Sequence, residues 1–557
     1  MPPAATFRRD ALIALLLALV LGAAWTWQDW NSLSTLRLPD TDDAVRLQQI
    51  RDWLGGQAFG DVDQHRLAGG LAMHWSRLPD LVPAALIAVL TPFVGVHGAE
   101  LAAVIAWPLA LFAIALLLVA RIARALGTDA GTAMAVAAIG FPATTLFLPG
   151  RIDHHGLQMV LLLGAVLAQL RRPSGGPGVA IGLLAAASLT IGLETAPLFV
   201  ALGAMAVVEW VAGRDGTTER LRGLGVGALV GLAAAKGVFA TSEWDYPACD
   251  GFTRQAWQAA VAVAPVPFAL ALLDRRLMGW RVRTGVTLGL FAVGGGVALW
   301  LSPTCLSPYG GVDPIMNRLW LSQVGEAQPF FAAAPGTALG YAGLMLVGLG
   351  CTAWQVRTKR NWGWMALLVC QVAALLVTLS QLRGAHAGAL FAAPALAAAI
   401  AAERTRGALR LAGAWVASAG MLYPLAANAL TAVEPEVARG RGDCASREMI
   451  AALNALPAGT VMAPVDAGAY LLAATGQRLI AAPYHRNDAG NRAAYAFYLD
   501  PPVPAAAVAE RWRATYALSC TAMPGPARVL AGWRPLRRLP DGAVIYAPTL
   551  SGEPAQR

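Results

Sequence analysis

The sequence predicts a polytopic all-α membrane domain followed by a small C-terminal α/β domain, and three observations carry that expectation. The 557 residues are 57% hydrophobic and 13% charged, with a mean hydropathy of +0.54, too apolar for a soluble multidomain protein. Cationic turns recur after every second apolar segment, which is how cytoplasmic loops are marked. Past about residue 430 the hydropathy falls and short strand and helix patterns replace the long apolar runs.

A span needs about 20 mostly apolar residues, and about thirteen candidates start near residues 11, 99, 131, 156, 177, 196, 222, 256, 284, 336, 362, 386 and 408. Arg8 and Arg9 precede the first without an Ala-x-Ala-like cleavage site after it, so 11–27 reads as a retained anchor with a cytoplasmic N-terminus. The inner turns carry Arg121 and Arg124, Arg171 and Arg172, Arg214, Arg220 and Arg222, Arg275 to Arg283, Arg357 to Arg360, and Arg404 to Arg410. They account for most of the net charge of +9, which is a topology signal and gives no reason to expect nucleic acid as a partner.

The expected organisation is a transmembrane domain over 1–430, with outer loops 28–98, 241–255 and 302–335, and an outer α/β domain over 431–557. The first loop ends in a re-entrant or interfacial helix from about 81, and Trp25, Trp27 and Trp30 read as an interfacial belt. In the tail, helices are expected at 445–456, 468–475 and 504–515, and strands at 460–463, 478–482 and around 528–547. Read as a multi-pass protein of a bacterial inner (plasma) membrane, the chain holds its outer loops and tail in the oxidising periplasm. Cys249 and Cys305, and Cys444 and Cys520, are then candidate disulfide partners, although spacing alone does not fix connectivity.

The acidic loops share the outer face. Asp40-Thr41-Asp42-Asp43, Arg151-Ile152-Asp153-His154-His155 and Gly325-Glu326 supply Asp42, Asp153, His155 and Glu326, an oxygen-rich set suited to Mg²⁺ or Mn²⁺. Solvated turns are the simpler reading of any single aspartate. The Asp153 motif argues against that, since a charged cluster in a very short loop between two apolar helices is costly to keep. Arg383, in Gln381-Leu382-Arg383-Gly384, is a cation at the outer end of a span, where a planar guanidinium suits phosphate oxygens. Glu194, at another outer helix end, reads as a structural hydrogen-bonding acid.

In this order the residues resemble the catalytic subunit of oligosaccharyltransferase, of the GT-C class of lipid-dependent glycosyltransferases, above all its bacterial and archaeal single-subunit forms. The resemblance runs along the whole chain and implies a GT-C fold of thirteen spans with an outer C-terminal domain. By similarity, Asp42 binds the metal and the acceptor, with Asp40 and Asp43 open as alternatives; Asp153 and His155 are metal ligands. Ser322-Gln323-Val324-Gly325-Glu326-Ala327-Gln328-Pro329 is similar to the family's Ser-Val-x-Glu-His-Gln-Pro loop, which makes Glu326 the catalytic-site carboxylate, and Arg383 falls where the family contacts the donor phosphate. His154, Glu194, Gln328, Asp466, His485 and Arg486 are further candidates for touching the acceptor or supporting the ligands.

Ala463-Pro464-Val465-Asp466-Ala467-Gly468 resembles the family's Trp-Trp-Asp-Tyr-Gly segment with both tryptophans missing. In the family that segment recognises the hydroxyl residue of an Asn-x-Ser/Thr sequon. The implied function is metal-dependent transfer of a sugar or glycan from a polyprenyl-(di)phosphate donor to a glycan, lipid or protein acceptor at the periplasmic face. A protein N-oligosaccharyltransferase with an unusual acceptor pocket is one alternative. A lipid-linked glycan transporter or flippase is another, and it leaves the acidic motifs and the tail without a purpose.

Overall fold

The computed structural model describes residues 4–277, 279–307, 312–430, 443–499, 502–520 and 533–549. It divides into two compact units: Met1–Leu36, Trp75–Gly310 and Val324–Ala432 form the first, and Arg37–His74, Gly311–Gln323 and Val433–Arg557 the second.

The first unit is a helical bundle of the multi-pass membrane type. Among the described residues eight helices are long and apolar enough to cross a membrane, from Thr6–Gln28 to Gly384–Glu403, and His155–Leu170, Gly175–Ile191 and Ala196–Val211 are shorter apolar helices. Each expected span falls on helical chain, but three are interrupted, the one near 256 between Arg254–Val263 and Val266–Leu273. Near 131 the helix Ala130–Ala138 gives way to a 3₁₀ turn, Ala143–Phe147, and near 408 Ala408–Ser418 is followed by Leu422–Leu430. The breaks near 131 and 408 meet: the Met421 N–H donates to the Ile139 carbonyl (3.2 Å), and a Cβ on Gly420 would stand 2.6 Å from the Phe141 nitrogen. Freed backbone groups at membrane depth are tolerated where neighbouring chain satisfies them.

The re-entrant helix expected from 81 and the span expected at 99 are one 45-residue helix, Leu81–Ala125, kinked at Gly95 (φ 73°), a conformation that strains a residue bearing a Cβ. Helices Gly175–Ile191 and Thr217–Phe239 approach through paired small residues. Added Cβ atoms on Gly178, Gly182, Gly223 and Gly227 would all fall within 2.4 Å of the facing helix. Where these helices begin, Glu209, near the end of helix Ala196–Val211, is buried between Arg220 (2.7 Å) and Arg214 (2.6 Å). Cys249 is bonded to Cys305, with Cα atoms 4.8 Å apart.

The second unit is the α/β body. Its five-stranded sheet runs in the order Arg478–Leu479, Thr460–Met462, Tyr516–Ser519, Val544–Pro548, Trp533–Arg538, parallel across the first three and antiparallel thereafter. The helices Arg447–Asn454, Val465–Ala474 and Pro502–Arg511 lie close to the expected positions, and 528–532, where the late strands were expected to begin, lies outside the described residues. Helix Asp488–Leu499 and strand Tyr516–Ser519 are additions. Cys444 is bonded to Cys520, Cα to Cα 5.4 Å.

The compact units do not follow the expected boundaries 1–430 and 431–557: Arg37–His74 and Gly311–Gln323 fall with the tail. The helix Thr41–Leu54 packs on Val465–Ala474, and Leu67 forms a parallel bridge with Leu479. The last carbonyls of Val465–Ala474 lack intrahelical partners, as at any helix end. Arg66 donates to the carbonyls of Leu472 (2.9 Å), Thr475 (2.7 Å) and Gln477 (3.2 Å), and Arg51 to that of Ala473 (2.7 Å). Arginine side chains here do the work of a C-cap. Asp313 pairs with Arg492 (2.7 Å), and Trp320 packs on the core around Met462, Phe497 and Tyr498.

Candidate active site

In the first unit the site begins with Asp153, which closes the short loop before helix His155–Leu170. Its Oδ1 accepts the backbone N–H of His155 (3.0 Å), an arrangement that a helix start favours for an anion. Its Oδ2 takes the Arg151 guanidinium (2.5 Å) and lies 3.3 Å from His155 Nδ1. Burial pushes the Asp153 carboxyl up, but Arg151 and the two histidines outweigh it and hold the group well below the usual carboxylate range.

His154 and His155 stack with ring centroids 4.2 Å apart. His154 Nε2 reaches Glu194 Oε1 at 3.3 Å across from the loop between the next two helices, and Gln158 donates to Glu194 Oε2 (3.1 Å) and to the Gly192 carbonyl (3.2 Å). Glu194 is likewise held well below its ordinary value, because His154, His155 and Arg383 overcome the cost of burial.

The Glu326 loop is pinned by backbone bonds to the end of helix Trp362–Ser380 and the short turn that leads into helix Gly384–Glu403. Arg383 N–H donates to the Glu326 carbonyl (3.0 Å), Leu382 N–H to that of Gln328 (2.9 Å), and Phe330 N–H to that of Leu379 (3.3 Å). This sets the Arg383 guanidinium 3.6 Å from the Glu326 carboxylate. Burial raises the Glu326 pKa, yet Arg383 foremost, with His155, His386 and Arg151, pulls it down to about 2. Asp153, His154, His155, Glu194, Glu326 and Arg383 thus come together in one unit, from four separate stretches of chain.

Asp42 and its neighbours belong to the second unit. Asp40 is the N-cap of Thr41–Leu54, its carboxylate accepting the Asp42 N–H (3.2 Å); Asp42 and Asp43 fill the first turn, and Asp43 is 0% exposed while Asp42 is half-buried. The buried Tyr484 donates to the Thr41 carbonyl (3.1 Å), and burial together with the charges of Asp42 and Asp40 keeps its hydroxyl protonated far into the basic range. His485 lies 4.6 Å from the His74 ring, Arg486 donates to the Ala72 carbonyl (3.3 Å), and Asp466 opens helix Val465–Ala474 near Tyr495.

No protein-family model and no curated protein sequence matches the chain. Solved structures do. The archaeal oligosaccharyltransferase AglB from Archaeoglobus fulgidus, in complex with an inhibitory peptide and a dolichol-phosphate, superposes with a TM-score of 0.68 at 17% identity, over 91% of this chain and 69% of that one. The fold is similar to that of an oligosaccharyltransferase. The apo form of the same enzyme gives 0.68 at 17% identity over 99% of this chain and 76% of that one, and its complex with Zn and sulfate 0.61 at 15% over 96% and 73%. The oligosaccharyltransferase-like architecture, a helical membrane unit with an α/β unit after it, is what these comparisons give.

Sequence reasoning passed over Arg151, Gln158 and Tyr484. Arg151 sits within the quoted motif, and Gln158 follows His154 at the i+4 spacing that shares a helix face, so both were recoverable. The donor chemistry suits a divalent cation: carboxylates stand beside a buried imidazole, and neither ring nitrogen of His155 has a hydrogen-bond partner among the described residues.

Proposed function

We propose that the chain is a membrane glycosyltransferase that moves a sugar or glycan from a polyprenyl phosphate or diphosphate carrier to an acceptor at the extracytoplasmic face. The observation that carries this reading is the gathering of Asp153, His154, His155, Glu194, Glu326 and Arg383 in one unit of a chain with an oligosaccharyltransferase-like fold. One of the similar structures holds a dolichol-phosphate, which supports a lipid-linked donor here.

In the proposed reaction the bond between the anomeric carbon and the phosphate oxygen breaks, its electron pair stays on the phosphate, and an acceptor nucleophile bonds to that carbon. Arg383 is positioned to take the phosphate oxygens by paired N–H donors. Asp153, His155 and Glu326 would hold a divalent cation, Mg²⁺ or Mn²⁺, which when bound supplies neutralising charge at the leaving phosphate. The proton that the nucleophile sheds passes to a carboxylate, for which Glu326 in the first unit and Asp42, beside the protonated Tyr484 in the second, are the two proposed candidates.

A sequon hydroxyl needs a donor pair and an aromatic wall, and Pro464 and Val465 provide neither at the start of helix Val465–Ala474. The proposed acceptor is therefore a glycolipid, a polysaccharide or another non-sequon group. The test supplies purified enzyme with a lipid-linked donor and either an Asn-x-Thr peptide or a glycolipid pool. Transfer to lipid alone, lost in Glu326→Ala, is expected; hydroxyl-dependent transfer to the peptide would promote the N-oligosaccharyltransferase reading instead.

A further inference from the structure

A cation in the last turn of an apolar helix meets a carboxylate, stretches to water or meets a headgroup phosphate. Lys236, in the last turn of helix Thr217–Phe239, is exposed and has no carboxylate within ion-pair distance among the described residues. In the loop beyond it Asp245 is paired with Arg254, and Glu243 is fully buried. The Lys236 ammonium lies instead 4.5 Å from the centre of the Trp257 ring and 5.8 Å from that of Trp244. Both indoles are held in place. Trp257 Nε1 donates to the Leu232 carbonyl (3.0 Å), and Trp244 packs on Trp257 and on Phe252 with ring centroids 5.8 Å apart in each pair. The Trp244 ring N–H has no hydrogen-bond partner among the described residues. A stretch to water alone would not fold the ammonium back over two indoles, and cation–π contact leaves it N–H donors to spare.

The depth of this cation follows from helix packing. Helices Gly175–Ile191 and Thr217–Phe239 run parallel, Gly223 meeting Gly175, Gly227 meeting Val179 and Gly231 meeting Ala186. Both rise by about 1.5 Å per residue, so Lys236 stands level with Ile191, at the depth of the loop that carries Glu194. It is nevertheless apart from Arg383. Its helix packs on Gly175–Ile191, Ala196–Val211 and Val266–Leu273, whereas Arg383 opens Gly384–Glu403, which packs on Pro335–Lys359 and Trp362–Ser380. Further into the span the Lys236 helix exposes Val226, Val230, Ala233 and Ala234, an apolar strip one helix wide. We propose that Lys236 and Trp244 form a second phosphate position, which holds the terminal phosphate of a polyprenyl carrier while its single chain lies along that strip. A terminal phosphate monoester carries roughly −1.5 to −2 charge and three acceptor oxygens, enough for an ammonium and an indole N–H together. A membrane phosphodiester offers only about one charge, so the carrier is the better-matched ligand. The transfer proposed above leaves a carrier of this kind, and the position receives it as it leaves the cluster.

The choice of ligand rests on the glycosyltransferase reading, but the test counts bound lipid and needs no transfer. Native mass spectrometry of the full chain is run with undecaprenyl phosphate, with neutral undecaprenol, and with phosphatidylglycerol as competitor. The unaltered chain is expected to bind two equivalents of the phosphate and none of the alcohol. Lys236→Gln should keep one and weaken the other at least about tenfold, Trp244→Phe should weaken that same one, and Lys236→Arg should keep both. A single equivalent in the unaltered chain, or two undiminished in Lys236→Gln, overturns the proposal. So does displacement of the second equivalent by phosphatidylglycerol as readily as by the carrier, which would mark an ordinary phospholipid contact. If Lys236→Gln does not fold, the count and the competition in the unaltered chain decide. One equivalent that is lost in Arg383→Ala and untouched by Lys236→Gln leaves the glycosyltransferase reading and removes this position. Two equivalents without transfer to any acceptor leave the position standing and remove that reading.

Discussion

Replacing Arg66 with alanine removes three donors from the end of helix Val465–Ala474, at Leu472, Thr475 and Gln477. Hydrogen bonds to a charged group contribute roughly 1.5 to 3 kcal/mol net, and three that share one partly solvated guanidinium do not add in full, so a loss of about 2 to 3 kcal/mol is expected. Arg51 keeps its single bond to Ala473 and stops the helix end from being wholly uncovered. For a body of this size each kcal/mol moves Tm by roughly 2 to 4 °C, giving a fall of about 4 to 12 °C. Scanning fluorimetry of the solubilised chain reads that shift, and limited proteolysis should show new cuts between residues 37 and 74. Arg66→Lys should recover less than half of the loss, because an ammonium cannot span three carbonyls as the planar fork does. An unchanged Tm with an unchanged cleavage pattern would refute the idea that the tail helix anchors the segment bearing Asp42.

Chelation by EDTA should abolish transfer and Mn²⁺ should restore it; Asp153→Ala and Glu326→Ala should each lose about 10² to 10³ in rate while still inserting into membranes, as measured by transfer assay and fractionation. Single-cysteine labelling in whole cells should find positions 42, 153, 326 and 466 reachable from outside and 124, 172, 276 and 406 only after permeabilisation. Loss of the Cys249–Cys305 bond through the double change to alanine should destabilise the first unit by about 2 to 4 kcal/mol, read as a lower Tm of the solubilised chain.

The helical unit was readable because its signals are local. Apolar runs and arginine turns announce spans, and the Asp153 motif stands out since charge in a short loop between apolar helices needs a reason. The contacts that assemble the rest are not local. Arg51 and Arg66 reach carbonyls more than 400 residues away, so nothing near them in sequence hints that 37–74 belongs with the tail. Strands of two or three residues, such as Arg478–Leu479, are too short to show alternation. Helix Asp488–Leu499 opens on Asp-Ala-Gly-Asn, which reads as a turn; the glycine is there because a Cβ at Gly490 would stand 2.0 Å from the Ile480 carbonyl.

The three aspartates of the first loop show how local structure separates residues that sequence leaves equivalent. Asp40-Thr41-Asp42-Asp43 was read as an acidic loop motif with its metal-binding member open. Yet an aspartate followed by acids in the next turn and by Ala44, Val45, Leu47 and Ile50 at helical spacing is the signature of a capped helix start. Once the helix is recognised, Asp40 is committed to capping and Asp43 faces the packed side with no exposure at all. Of the three carboxylates, Asp42 combines a first-turn position with partial exposure, in the turn to which the Tyr484 hydroxyl donates. A period-3.6 reading of the loop would therefore have ranked the three carboxylates before any tertiary contact was known.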